Sequence, residues 1–284
     1  MNQLKSILLL GLLTALLVGV GGLLAPNSLP IFLGLALLMN LGAWFFSDKM
    51  VLAMSHAQPV PDGQLPQVQR MVEQIAANAN IPVPRLYVMP GAQPNAFATG
   101  RNPEHGVVCV TEGILRLLDE RELKGVLAHE MSHIRNRDVL VASIAAAIAS
   151  AITYIAHIGL FFGGGSRDRE GSGAGALFMA ILAPIGATLV QLGISRQREF
   201  LADATGAKLC NDPLALASAL QKLQAASQRV PLAAAPATAS LFIVNPFGGM
   251  KNFFNLFSTH PPLEERIRRL QQMASELRGV VPQH

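Results

Sequence analysis

Residues 127–162 read LAHEMSHIRNRDVLVASIAAAIASAITYIAHIGLFF, and the fold turns on how this stretch is parsed. Its first part places His129 and His133 four residues apart with Glu130 between them. On a helix, positions i and i+4 share one face, so the two imidazoles converge on one point. From Val139 to Phe162 the chain is almost wholly apolar and long enough to cross a hydrocarbon core of about 30 Å. A polar, metal-competent helix therefore runs directly into a candidate membrane span.

The composition agrees with the apolar half of that reading. The chain has 284 residues, of which 51% are hydrophobic and 14% charged, and its mean hydropathy is +0.38. Aromatics supply only 6%, so the excess is aliphatic, as in helices that face lipid. The net charge of +4 comes without a basic run interleaved with aromatics, so no nucleic-acid partner is expected. Cys109 and Cys210 form no metal-binding pair and no disulfide framework.

Three further segments match the span at 139–162. They are Ser6 to Ala25, Pro30 to Ser47 and Ala176 to Ile194. No small-residue cleavage site follows the first, so it reads as one arm of a retained helical hairpin. Lys5, Lys49, Arg135, Arg137, Arg196 and Arg198 flank the spans on one side, which places that side in the cytoplasm. The loop GGGSRDREGSGAG at 163–175 balances its charges and reads as a polar connector. His157 inside the third span reads as a packing histidine.

The remainder is expected to be one α+β domain assembled from two stretches. The organisation is then 1–49, a first transmembrane pair; 50–138, the first part of the catalytic domain; 139–194, a second pair; and 195–284, the second part. Val68, Met71, Val72 and Ile75 have helical spacing. RLYVMP (85–90) and GVVCVT (106–111) read as strands. Asp119 with Glu122 forms a capping box that opens the helix bearing His129. Asn211-Asp212-Pro213 opens another helix. The C-terminal helix carries a stripe of Leu263, Ile267 and Leu270. The fold class is thus mainly α with a small β-sheet, a zincin-like domain joined to four transmembrane helices. If the ligand helices continue unbroken into the spans, His133 and Glu199 stand about 9 and 8 Å from the bilayer surface.

Two histidines and one carboxylate suit zinc, which lowers the pKa of a bound water towards about 7. Glu130, one step round the helix, faces that water as general base. In SRQREFLADATGA (195–207), Glu199 and Asp203 are again four apart. Glu199 can be the third ligand, and Asp203 can accept the outer N–H of a zinc histidine. The alternative is a solvated acidic face with Arg196 as the partner of Glu199.

Together HEMSH, REFLAD and PNAFATG resemble the HtpX-like membrane zinc metallopeptidases, relatives of the peptidases that process prenylated CAAX proteins. The resemblance covers nearly the whole chain. It implies one zinc ion held by His129, His133 and Glu199, Glu130 as the catalytic residue, and Asp203 behind the ligands. It implies a protease in the bacterial inner membrane, with its catalytic domain facing the cytosol, acting in stress-related quality control of membrane proteins. Four spans, fewer than in the CAAX-processing relatives, favour the HtpX-like branch. Asn95, Ala96 and Phe97 are expected on an edge strand that pairs with an extended substrate through its main chain. His260, at a His-Pro helix start, is a candidate donor to the oxyanion. His56, His105 and His284 have no partners in sequence.

The expected partners are polypeptide substrates and the lipid bilayer, with further copies of the chain or accessory quality-control proteins also compatible. Two other classes compete. A zinc-stabilised scaffold or chaperone without turnover would not need Glu130, and a transporter would need polar residues lining the spans.

Overall fold

The computed structural model describes residues 29–139, 196–227 and 261–279, together with Gly11, Thr14, Ala15 and Val18; a few side chains within 29–47 are not described. The candidate span at 139–162 beyond Val139, that at 176–194, the linker at 230–240, His157 and His260 lie outside the described residues.

In chain order, α1 spans Leu29–Met54, β1 Gln58–Pro59, α2 Pro66–Ala79, β2 Arg85–Met89 and β3 Ala96–Thr99. After a 3-10 turn at Pro103–His105 come β4 Val107–Thr111, α3 Glu112–Leu117 and α4 Glu120–Arg135. The later helices are α5 Arg196–Cys210, α6 Pro213–Ser227 and α7 Leu263–Leu277. The result is mainly helical with one mixed four-stranded sheet, ordered β1-β2-β4-β3. β2 and β4 run parallel, with Arg85 opposite Val107, whereas β3 is antiparallel to β4, with Ala98 opposite Val108. β3 therefore forms one edge.

Each face of the sheet has its own cover. The larger core packs α2, α4, α5, α6 and α7 over one face through Val72, Ile75, Val108, Val110, Leu127, Met131, Leu216, Leu220 and Leu270. On the other face Val51 and Leu52, from the end of α1, close over Phe97, Val107 and Cys109. Asp48 reinforces this join, since its Oδ2 lies 3.6 Å from Nη2 of Arg85.

α4 sits at the centre. Asp119 accepts from the Glu122 amide at 2.9 Å, and Glu122 Oε2 accepts from the Asp119 amide at 3.0 Å. These bonds satisfy two of the otherwise orphaned donors at the helix start. Two glycines let its neighbours approach. A Cβ on Gly125 would lie 2.9 Å from the Leu216 nitrogen of α6, and one on Gly206 of α5 would lie 2.7 Å from the His129 nitrogen. Backbone thus meets backbone at the histidine itself.

The expected continuation of α4 into the third span is not what forms. The helix ends at Arg135, and Arg137 takes a left-handed φ of 58°. The Asp138 amide donates to the His133 carbonyl at 2.9 Å and the Arg137 amide to the Ile134 carbonyl at 3.0 Å. That pair of bonds is a Schellman closure, which satisfies otherwise orphaned carbonyls and ends the helix.

Among the described residues no helix is long and apolar enough to cross a membrane. α1 comes nearest, with 26 residues, about 39 Å of helix. Ile31, Leu37, Leu38, Leu41, Phe45 and Phe46 are exposed on it. Its one strongly polar mid-helix residue, Asn40, donates to Thr14 Oγ1 at 2.7 Å. The amide nitrogen of the polar member of the second candidate span thus meets a hydroxyl from the first.

Candidate metal centre

Three side chains from two helices converge. His129 and His133 project from α4, with ring centroids 4.9 Å apart and planes nearly perpendicular. Glu199, in the first turn of α5, faces both: its Oε2 lies 3.7 Å from His129 Nε2 and its Oε1 3.5 Å from His133 Nε2. All three residues offer ligand atoms within 4.8 Å of one another. The Gly206 contact explains how two helices separated by sixty residues of chain come this close.

Carboxylates back both imidazoles. Asp203, one turn beyond Glu199, places Oδ1 2.9 Å from His129 Nδ1, within hydrogen-bond reach although the ring is not aligned for a bond. Asp138 Oδ2 lies 3.3 Å from His133 Nδ1. Glu130 is buried beside them, and its Oε2 accepts from the Ala98 amide of β3 at 3.0 Å.

Arg266 of α7 completes the cluster. It is the most bulky of the fully buried side chains, and it grips Asp203 with two donors, Nε to Oδ2 at 2.8 Å and Nη2 to Oδ1 at 2.7 Å. Its Nη1 lies 3.8 Å from Glu199 Oε2. Sequence reading missed this residue, although a signal existed. Arg266 falls on the same face as Leu263 and Leu270, where a charge has no place unless something buried answers it.

The protonation states follow from these neighbours. Burial opposes ionisation of Asp203, but Arg266 overrides it and holds the carboxyl down to about 2. Burial alone would deprotonate His133, yet Asp138 and then Glu199 and Glu130 push it up to about 9. For Glu130, burial wins and the pKa is raised. Burial opposes the charge of Arg266, but Asp203 and Glu199 keep it protonated, with its pKa raised.

This donor set fits a divalent ion. Two neutral imidazole nitrogens and a carboxylate oxygen are ligands that zinc accepts, leaving a further position open. Among the described residues, the carboxylates of Glu130, Asp138, Glu199 and Asp203 face the guanidiniums of Arg266 and Arg198. The negative excess is what a dication would offset.

The remaining sequence candidates fare unequally. Asn95 uses its main chain on β4, donating to Thr111 Oγ1 at 2.9 Å and accepting from the Thr111 amide at 2.9 Å. The Phe97 side chain packs beneath α1, on the opposite face from α4. Only Ala96, by strand alternation, shares the outward direction shown by Ala98. Ala98 was not anticipated. Arg196, the proposed surface partner of Glu199, is exposed, and Glu199 turns inward instead. His56 is exposed, and His105 is engaged by Asn102 and Arg101.

The profile of peptidase family M48 matches residues 63–274, which include every residue of this cluster. The chain belongs to peptidase family M48. Among M48 relatives, it is 51% identical over 281 residues to "Protease HtpX homolog" of Syntrophobacter fumaroxidans, covering 96% of this chain and 99% of that protein. It is also 51% identical over 280 residues to "Protease HtpX homolog" of Pyrococcus furiosus, covering 96% of each. The crystal structure of S. mikatae Ste24p shares its fold, with a TM-score of 0.51 at 20% identity, and covers 95% of this chain. The match spans 65% of the Ste24p chain.

Proposed function

We propose that this M48 member is a multi-pass membrane zinc endopeptidase that cleaves cytosolic parts of misfolded or damaged membrane proteins. The convergence of His129, His133 and Glu199 from helices far apart in sequence carries the reading. High identity to proteins named as HtpX-type proteases supports the peptidase half. The apolar segments at 6–25, 30–47, 139–162 and 176–194, with the exposed aliphatic face of α1, support the membrane half.

His129, His133 and Glu199 would hold the zinc, which when bound supplies Lewis-acid polarisation of the scissile carbonyl and acidification of water. Glu130 is the general base and acid. It takes a proton as water's oxygen bonds to the carbonyl carbon, then delivers it to the nitrogen as the C–N bond breaks. Its raised pKa suits a group that must both accept and return that proton. Asp203 orients His129, and Arg266 keeps Asp203 ionised. The outward main chain at Ala96 and Ala98 receives an extended peptide, so selectivity rests on backbone more than side chains. His260, adjoining Pro261 at the start of α7, is proposed as a donor to the oxyanion.

The test uses full-length protein in detergent, with metal analysis and cleavage of casein. Glu130→Ala should keep zinc near one per chain and abolish cleavage. Cleavage by a metal-verified Glu130→Ala preparation would refute the assignment. For the substrate class, the same cytosolic peptide should be cut faster when anchored to a co-reconstituted membrane helix than when free. Equal rates would remove the membrane-substrate part.

A further inference from the structure

The turn that ends α4 closes on the helix's own last residues. Asp138 donates its amide to the His133 carbonyl at 2.9 Å and brings Oδ2 to 3.3 Å from His133 Nδ1. Reaching that position requires a left-handed Arg137, φ 58°, where helix ends usually place glycine. The other carboxylate oxygen, Oδ1, lies 3.7 Å from Nη1 of Arg198, in the first turn of α5 and adjacent to Glu199. Asp138 is 5% exposed, so bulk solvent does little to satisfy its charge.

A neutral imidazole has two tautomers, and only the one protonated at Nδ1 leaves Nε2 able to bind an ion. Asp203 stands at Nδ1 of His129 and Asp138 at Nδ1 of His133. We infer that Asp138, steadied by Arg198, is the positioning residue for His133: it fixes the ring with Nε2 toward Glu199, and it clasps α4 to α5 at the two points between which residues 139–195 depart and return. The inference rests on the zinc-peptidase reading.

The experiment compares full-length wild type, Asp138→Asn, Arg198→Gln and the exchanged pair Asp138→Arg/Arg198→Asp. It reads Zn²⁺ affinity by chelator competition, the absorption spectrum of the Co²⁺-substituted site, and kcat and KM on casein. Asp138→Asn should weaken Zn²⁺ binding about 10- to 100-fold, the range for partners that orient metal-bound histidines. It should also shift the Co²⁺ spectrum and lower kcat more than KM. Arg198→Gln should act in the same direction with a smaller loss, and it keeps the inference testable should the Asp138 variant fail to fold. The exchanged pair should not recover Zn²⁺ affinity, because an arginine cannot accept from Nδ1–H.

Recovery in the exchanged pair would reduce the contact to a structural ion pair and overturn the inference. So would unchanged Zn²⁺ affinity and Co²⁺ spectrum in both single variants. A wild type that takes up no Zn²⁺ would defeat the zinc-peptidase reading itself, which separates the two failures.

Discussion

Arg266 shows how a single side chain sets the electrostatics of a buried site. Replacing it with Met would leave Asp203 and Glu199 facing each other without a cation. Removing one partner of such a buried pair costs about 3–5 kcal/mol. Arg266→Met should therefore lower unfolding stability by about that much, measured by denaturant titration of the chelator-treated protein. Asp203 adds a pH signature. Its folded pKa of about 2 lies below the ordinary 3.8, so the unfolded chain binds protons first as acid is added. The stability from this pair should be present above the ordinary value and disappear as pH falls towards 2. Asp203→Asn should flatten that limb of the metal-free stability profile. His133 behaves in the opposite sense. Held up to about 9 without metal, it must lose its proton to become a ligand. Zinc uptake should release a proton at neutral pH, and affinity should climb until about pH 9. Calorimetry in two buffers of different ionisation enthalpy measures this.

At the scale of elements, the sequence was informative wherever local chemistry had its usual residues. The capping box at Asp119, the helix opened by Asp212 and the stripe of α2 all form as their residues demand. The Asp212 side chain accepts from the Ala215 amide at 3.1 Å. The break after Arg135 was hidden because its left-handed position is an arginine, not the glycine that flags such ends. β1, only two residues long, has no periodicity to read. The convergence of His129, His133, Glu199 and Asp203 was legible because i,i+4 spacing puts each of the two pairs on one helix face. Asp138, Ala98 and Arg266 were not, since a turn, a main-chain amide and a distant helix bring them in. Gly206 was equally silent, yet it controls the spacing of α4 and α5. Gly206→Val should push α5 away from His129 and carry Glu199 with it. The expected result is a large loss of zinc affinity in a protein whose helix content by circular dichroism is nearly unchanged.

For the molecule as a whole, the metal would add one more link between two stretches already joined by packing and by ion pairs such as Arg198 with Asp138 and Lys222 with Glu122. A ligand that binds only the folded state stabilises it by about 4 kcal/mol at a thousandfold excess over its dissociation constant. The Tm of the detergent-solubilised protein should thus rise with free Zn²⁺ and drop on chelation. In Glu199→Gln that dependence should weaken, because the link between the stretches loses one end. α1 extends the same logic toward the bilayer. Its last turns are built into the core through Val51 and Leu52, while its aliphatic face is exposed, so α1 enters the domain without an intervening tether.

The hydrogen bond from Ala98 to Glu130 has a kinetic side. On the proposed function, a peptide pairing with β3 would meet an amide already bonded to Glu130, so docking and release of that carboxylate would be a single event. Without a peptide, the Glu130 carboxylate is held against the protein's own backbone. Short peptides that compete for that amide without presenting a scissile bond at the ion should then act as inhibitors, and replacing the competing carbonyl with a methylene should abolish the effect.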